Sequence, residues 1–214
     1  MPELYIITGS NGAGKSSVGP DYIPEALRST IFDGDKLFMQ KKSDYWNSGI
    51  RSYKECRKLA FADVENTFDA LVESALQQQV DWAYEGHFTN DATWDIPKKF
   101  KEASYKIHLL FFGLTDTALS ETRVVARSQE GGHYVDPMTI SDNFYGNLEK
   151  MDQYFVIFDT VTIIDTSEIE HTGLAMLQNG QSFSSVSSTL LPLWFTDNLP
   201  KITAKVIAGN KPIL

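Results

Sequence analysis

The sequence holds a single cysteine, Cys56, in 214 residues. One thiol cannot close an internal disulfide, which agrees with a reducing cytoplasm and gives Cys56 a role in helix packing rather than in chemistry. Histidine is also scarce. His87, His108, His133 and His171 are the four, none at metal-ligand spacing from another, so no zinc site is expected. No apolar run approaches the roughly 18 residues of a membrane helix. The opening Met1-Pro2-Glu3-Leu4-Tyr5-Ile6-Ile7 lacks the basic flank and apolar length of a signal peptide and reads as a strand. Basic charge is in deficit: 19 Lys and Arg face 28 Asp and Glu, for a net −9. Such a surface repels nucleic-acid backbones, so neither nucleic acid nor a membrane is an expected partner. Repeats and low-complexity linkers are missing. The Ser-rich patch at residues 182–188 comes nearest, and it reads as a loop or an irregular strand.

What is present is ordinary for one α/β domain over residues 1–214. Five apolar runs, at residues 4–8, 30–33, 80–85, 106–112 and 161–165, read as strands. Helix-like stretches lie between them. From residue 53 to 76 the apolar positions Tyr53, Cys56, Ala60, Val64, Phe68, Leu71 and Ala75 keep helical spacing. Thr115 reads as the N-cap of a helix through Arg127, and residues 140–154 read as another helix. This alternation predicts βαβ units and a mainly parallel sheet, whose ligands bind at the carboxyl ends of the strands.

The first run leads into Gly9-Ser10-Asn11-Gly12-Ala13-Gly14-Lys15-Ser16, which matches G-x-x-x-x-G-K-[ST] and is followed by Ser17. The glycines let backbone N–H groups converge on phosphates, and a helix starting at Lys15 offers its positive end to them. Lys15 is placed to reach the β- and γ-phosphates, and the Ser16 hydroxyl to hold Mg²⁺. Residues 9–17 therefore form the candidate site for ATP or GTP.

The later strand ends carry the remaining candidates. Asp33-Gly34-Asp35-Lys36 puts two carboxylates beside the loop, where one could take the proton of an attacking hydroxyl or orient the metal. Glu85 ends the third run and is a candidate for binding substrate hydroxyls. Arg123 and Arg127, four apart, share a helical face next to the Gly131-Gly132 segment, an arrangement suited to a lid over phosphates. Asp165-Thr166-Ser167 closes the fifth run, either lining a purine pocket or making a plain turn. Lys36, Lys41 and Lys42 fit a solvated charge run better than a phosphate site.

Taken together these residues resemble the zeta-toxin-like family of small P-loop kinases, in the branch labelled predicted ABC-type ATPase. Asp33-Gly34-Asp35 is similar to the family's Asn-x-Asp, and Tyr84-Glu85-Gly86-His87 to its Phe-Glu-Thr-Thr. Arg123-x-x-x-Arg127 followed by Gly131-Gly132-His133-x-Val135 is the most specific match. Asp165-Thr166-Ser167 resembles Asp-Asn-Ser. The resemblance implies a parallel five-stranded sheet with a helical lid over about residues 116–150. It implies Asp35 as general base, Asp33, Glu85 and His87 on the substrate, and Arg123 and Arg127 on the phosphates. The family's toxins phosphorylate UDP-N-acetyl amino sugars with ATP or GTP, and a protein inhibitor or antitoxin is the corresponding partner.

This chain departs from the family in two places. Where the family has arginines after Ile140, it has Ser141-Asp142-Asn143, so one source of positive charge at the lid is missing. Asp33 adds a carboxylate next to Asp35, which leaves open which of the two is the base. The expectation is a cytoplasmic phosphotransferase passing the γ-phosphoryl group to a hydroxyl of a small acceptor. The alternative is a nucleotide-dependent switch or slow NTPase without such an acceptor.

Overall fold

The computed structural model describes residues 1–129, 132 and 134–209. In chain order it contains β1 (Glu3–Gly9), α1 (Lys15–Val18), α2 (Glu25–Arg28), β2 (Phe32–Asp33), α3 (Gly34–Asn47), α4 (Tyr53–Gln78), β3 (Trp82–Glu85), α5 (Asp95–Glu102) and β4 (Lys106–Gly113). It continues through α6 (Thr117–Gln129), α7 (Pro137–Tyr154), β5 (Thr160–Asp165), β6 (Thr172–Gln178), β7 (Gln181–Ser185), α8 (Leu193–Asn198) and α9 (Pro200–Gly209). The strands form one sheet in the order β2-β3-β1-β4-β5-β6-β7. The first five in that order run parallel. Both faces of the central strands are covered, which is why β1 and β4 are apolar almost throughout: Leu4, Ile6, Ile7, Ile107, Leu109 and Phe112 are all buried. The chain leaves β1 toward β2 and later crosses to β4 on the other side. The carboxyl end of β1 is thus a switch point where the connecting loops part and leave room for a ligand.

The sheet has seven strands rather than the expected five. The added pair, β6 and β7, is antiparallel and extends the sheet beyond β5. Asn179 and Gly180 join them with positive φ values of 50° and 71°. This is the two-residue turn whose twist suits a hairpin, and Asn-Gly is its commonest sequence. The Ser-rich patch is therefore largely β7.

Helix boundaries moved for local reasons. The helix after the glycine-rich loop is only the four residues of α1. Pro20 lacks the N–H that would continue it, and the chain turns instead into a 3₁₀ segment at Gly19–Tyr22. The cap of α6 is Asp116 rather than Thr115: its carboxylate accepts from the Leu119 amide at 2.8 Å. α7 begins three residues earlier than expected. Asp136 caps the Thr139 amide at 3.0 Å and Pro137 occupies the first helical position. α4 is capped by Ser52 and ends at Gln79, whose φ of 52° turns the chain toward β3. Cys56 packs inside α4, as expected of a buried free thiol. Among the described residues no helix is long and apolar enough to cross a membrane.

The far end of the chain is keyed into the sheet at Gly113. The Trp194 indole of α8 lies so close that a β-carbon at Gly113 would sit 2.1 Å from it. Gly113→Ala is expected to lower stability by about 1–3 kcal/mol through overpacking. The double variant with Trp194→Leu should recover most of that loss, as read from urea unfolding midpoints.

Candidate active site

The glycine-rich loop is built by backbone geometry that side chains would prevent. Gly9 has φ 136°, and a β-carbon there would lie 2.1 Å from the Phe112 carbonyl oxygen. Gly14 at φ 78° is the left-handed residue from which α1 starts. Around this loop the chain buries the Lys15 ammonium. It donates to the carbonyls of Gly9 at 3.0 Å and Ser10 at 2.9 Å, and Glu85 Oε1 stands 4.0 Å away. Glu85 Oε2 accepts from the Ser16 hydroxyl at 2.7 Å. Burial pulls the Lys15 pKa down, opposed by the charges of Glu85 and Asp35. Burial likewise pushes Glu85 up, opposed by Lys15 and the Ser16 hydrogen bond. The pair is thus two costly charges placed so that each offsets part of the other's desolvation.

Four side chains from later elements fix the loop's outer surface. The buried Ser120 hydroxyl of α6 donates to the Asn11 carbonyl at 2.5 Å. Asn143 of α7 donates its amide to Asn11 Oδ1 at 2.8 Å. Thr166 donates to the Ala13 and Gly113 carbonyls, both at 3.0 Å. The Arg123 guanidinium spans the carbonyls of Thr166 at 2.7 Å, Ser167 at 2.8 Å and Gly12 at 3.4 Å. One turn beyond Asn143, the buried Asn147 accepts from the Phe88 amide at 2.6 Å and from the Thr8 hydroxyl at 3.2 Å. It also contacts His87 Nδ1 at 3.3 Å. Asp165 holds the turn after β5 by accepting from the Ser167 amide at 2.9 Å and from the Trp194 indole at 3.3 Å.

The expected residues converge, though not in equal roles. Asn11, Lys15, Ser16, Asp33, Asp35, Glu85, Arg127 and Gly132 border one cavity of about 280 Å³. A second cavity, of about 250 Å³, shares Asp33, Asp35 and Glu85 and has His87 in its wall. Asp33 is committed locally as the cap of α3, accepting from the Lys36 amide at 3.0 Å. Asp35 is exposed in the first turn of the same helix. Ser10 and Ala13 are buried within the loop. The Ser17 hydroxyl donates to the Gly14 carbonyl at 3.1 Å. Arg127 faces the first cavity, whereas Arg123 is engaged with the three carbonyls. Gly131 and His133 of the expected lid segment lie outside the described residues; Gly132 donates to the Arg127 carbonyl at 3.0 Å.

Ser120 and Asn147 were not singled out from sequence, and Asn143 was named only as part of the stretch that lacks the family's arginines. Asn147 left a readable signal. With Asp152 it is one of two polar residues buried on α7 beside Ile140, Phe144, Leu148 and Met151, and a polar side chain there must find partners. Ser120 and Asn143 left none, because small polar residues on helices are commonplace.

A glycine-rich loop closing on a buried lysine at the carboxyl end of a central parallel strand defines an α/β P-loop fold of the kind small kinases share. The zeta toxin family model matches residues 1–172, and the chain belongs to that family. An uncharacterized protein of Haemophilus influenzae is 24% identical over 127 residues, covering 59% of this chain and 81% of that protein. Among solved structures, the AvrRxo1-ORF1:-ORF2 complex with ATP matches with TM-score 0.70 and 16% identity, over 93% of this chain. This chain spans 64% of the length of that neighbour. The PezAT toxin–antitoxin system of Streptococcus pneumoniae matches with TM-score 0.56 and 19% identity, over 80% of this chain and 72% of that one. These neighbours share the fold.

Burial and the nearby Lys15 charge hold the His87 imidazole well below its usual value of 6.5. A depressed folded-state value means the unfolded chain takes up the proton first. The stability from neutral His87 is therefore complete above about pH 6.5 and lost as the pH falls toward the folded-state value. The urea midpoint is expected to drop between pH 7 and pH 5, and His87→Gln should make that drop smaller.

Proposed function

We propose that the protein is an ATP-dependent kinase that transfers the γ-phosphoryl group to a hydroxyl of a small acceptor. The observation that carries this reading is the wall of carboxylates common to two adjoining cavities. Asp33, Asp35 and Glu85 border both. One cavity holds the phosphate-binding groups Lys15, Ser16 and Arg127, and the other has room for an acceptor.

Each residue then has a physical task. The loop amides and the Lys15 ammonium take the β- and γ-phosphate oxygens, with phosphate oxygens replacing the Gly9 and Ser10 carbonyls as lysine partners. The Arg127 guanidinium faces the same space and offsets charge on the transferring group. Arg123 is a positioning residue: its three carbonyl contacts tie the loop to the turn after β5. Asp35 takes the proton of the acceptor hydroxyl. It is preferred to Asp33 because Asp33 already accepts from the Lys36 amide. Glu85 and His87 line the acceptor side. The donor set suits Mg²⁺, since the Ser16 hydroxyl and the Glu85 carboxylate are hard oxygen ligands 2.7 Å apart beside two further carboxylates. When bound, that ion supplies charge neutralisation between the phosphates.

The two-protein makeup of the AvrRxo1 and PezAT structures supports a protein inhibitor as a further partner.

The test is γ-labelled ATP with a panel of polyols, sugars, sugar phosphates, nucleosides and nucleotide sugars. Label is expected in one acceptor class. Asp35→Asn should lower kcat by about 10²–10⁴-fold while ATP binding is retained. If ATP binds and no acceptor takes label, or if Asp35→Asn keeps full turnover, the kinase reading fails.

A further inference from the structure

The acceptor cavity has a chemical asymmetry that the phosphoryl-transfer machinery does not explain. Its lining is acidic where the start of α3 meets the end of β3, with Asp33, Asp35 and Glu85, and carries Phe38, Arg57 and Phe61 from farther along α3 and from α4. The Arg57 guanidinium lies over three rings, 5.8 Å from the centres of Phe38 and Tyr53 and 5.7 Å from that of Phe61. Lys42 joins the same group, 5.6 Å from Phe38 and 5.5 Å from Tyr53. The aromatic faces hold these cations in place but do not neutralise them. Among the described residues, neither Arg57 nor Lys42 has a carboxylate within ion-pair reach. The adjacent Lys41 is paired with Asp63 at 3.4 Å. In a chain of net charge −9, Arg57 in the cavity wall and Lys42 behind the same rings, with no carboxylate in ion-pair reach among the described residues, form a local positive site. Their effect reaches Tyr53, whose phenol is shifted down by the Arg57 hydrogen bond and the Lys42 charge.

Resting on the kinase reading above, we infer that the acceptor is a small hydroxyl compound with an anionic end, a phosphate monoester or a carboxylate, held by Arg57, with the Lys42 charge adding to the attraction, while its hydroxyl faces Asp35. The volume fits this. About 250 Å³ is below the range of roughly 300–1,000 Å³ usual for drug-sized ligands. The part of the acceptor inside is then of sugar or polyol size. The aromatic rings beside Arg57 give such a compound an apolar wall, and the carboxylates repel its anionic end toward the cations. Orientation follows from charge: the carboxylates reject the anion, and the hydroxyl end is left next to the base.

Two measurements on the full chain test this. In the first, acceptors matched in carbon skeleton are compared in the γ-labelled ATP assay: glucose, glucose 6-phosphate and gluconate, with UDP-glucose as a nucleotide-sugar arm. The phosphate and carboxylate arms separate the two anion types. Higher kcat/KM is expected for an anionic member than for glucose. Arg57→Gln should raise the acceptor KM by about tenfold or more, the loss expected for one charged hydrogen bond. Arg57→Lys should recover part of it, and Lys42→Gln should act in the same direction.

In the second, the same compounds are titrated while the Arg57 Nε–Hε resonance is followed, with no transfer required. Saturating shifts are expected with glucose 6-phosphate or gluconate and not with glucose. Equal binding of glucose, or anion binding undiminished in Arg57→Gln, overturns the inference. An acceptor that is labelled with a KM insensitive to Arg57→Gln also overturns it while leaving the kinase reading intact. Anion binding lost in Arg57→Gln, with no acceptor labelled, supports the anion site and removes the kinase reading.

Discussion

The site depends on keeping one buried ammonium charged. Lys15 is almost wholly enclosed, and enclosure favours its neutral form. Three oxygen partners counter that tendency: the Gly9 and Ser10 carbonyls, which the curled loop turns inward to accept from the ammonium, and the charge of the Glu85 carboxylate at the end of a neighbouring strand. The carbonyls are available because Gly9 can adopt φ 136° against the Phe112 backbone. The carboxylate is available because β3 runs parallel to β1 in a register that pairs Ile7 with Glu85. Loop conformation, strand register and side-chain charge therefore depend on one another.

The parts legible in the sequence were those whose chemistry is local. The loop reads directly, since its glycines and lysine occupy fixed places in eight consecutive residues. Asp33, Asp35 and Glu85 read almost as directly, because strand ends in a parallel sheet collect at one edge. Less legible was anything set by a partner distant in sequence. Arg123 and Arg127 look alike four residues apart, yet one turns to the carbonyls after β5 and the other to the cavity beside Lys15. Only the packing of α6 against the loop separates them. Asn143 stands in the stretch where the family carries arginines, and it ties to Asn11 where a cation was the expected feature. The seventh and sixth strands were missed although Asn179-Gly180 is a strong hairpin signal. The family resemblance implied five strands, and the family match itself ends at residue 172, the first of β6.

The α3–α4 hairpin gives the molecule its second chemical face. At the start of α3 it carries Asp33 and Asp35, while farther along it presents Phe38, Lys42, Tyr53, Arg57 and Phe61. Acid and base are thus mounted on one rigid pair of helices. The distance between them is set by helix geometry rather than by a loop. Phe68 of α4 packs against Phe32, Trp82 and Tyr84, which anchors the hairpin to strands β2 and β3.

The hydrogen bonds that hold the loop also bear on the order of events during synthesis. Residues 9–16 emerge from the ribosome first, but their outer partners are Ser120, Arg123, Asn143 and Thr166. Glu85 follows later, and Thr166, the last of the four, later still. A nascent chain that carries the complete glycine-lysine motif therefore lacks the scaffold that shapes it. Contacts of such long sequence separation close late, after their loop entropy has been met. The shape of the glycine-rich loop is in that sense set by residues that lie far along the chain.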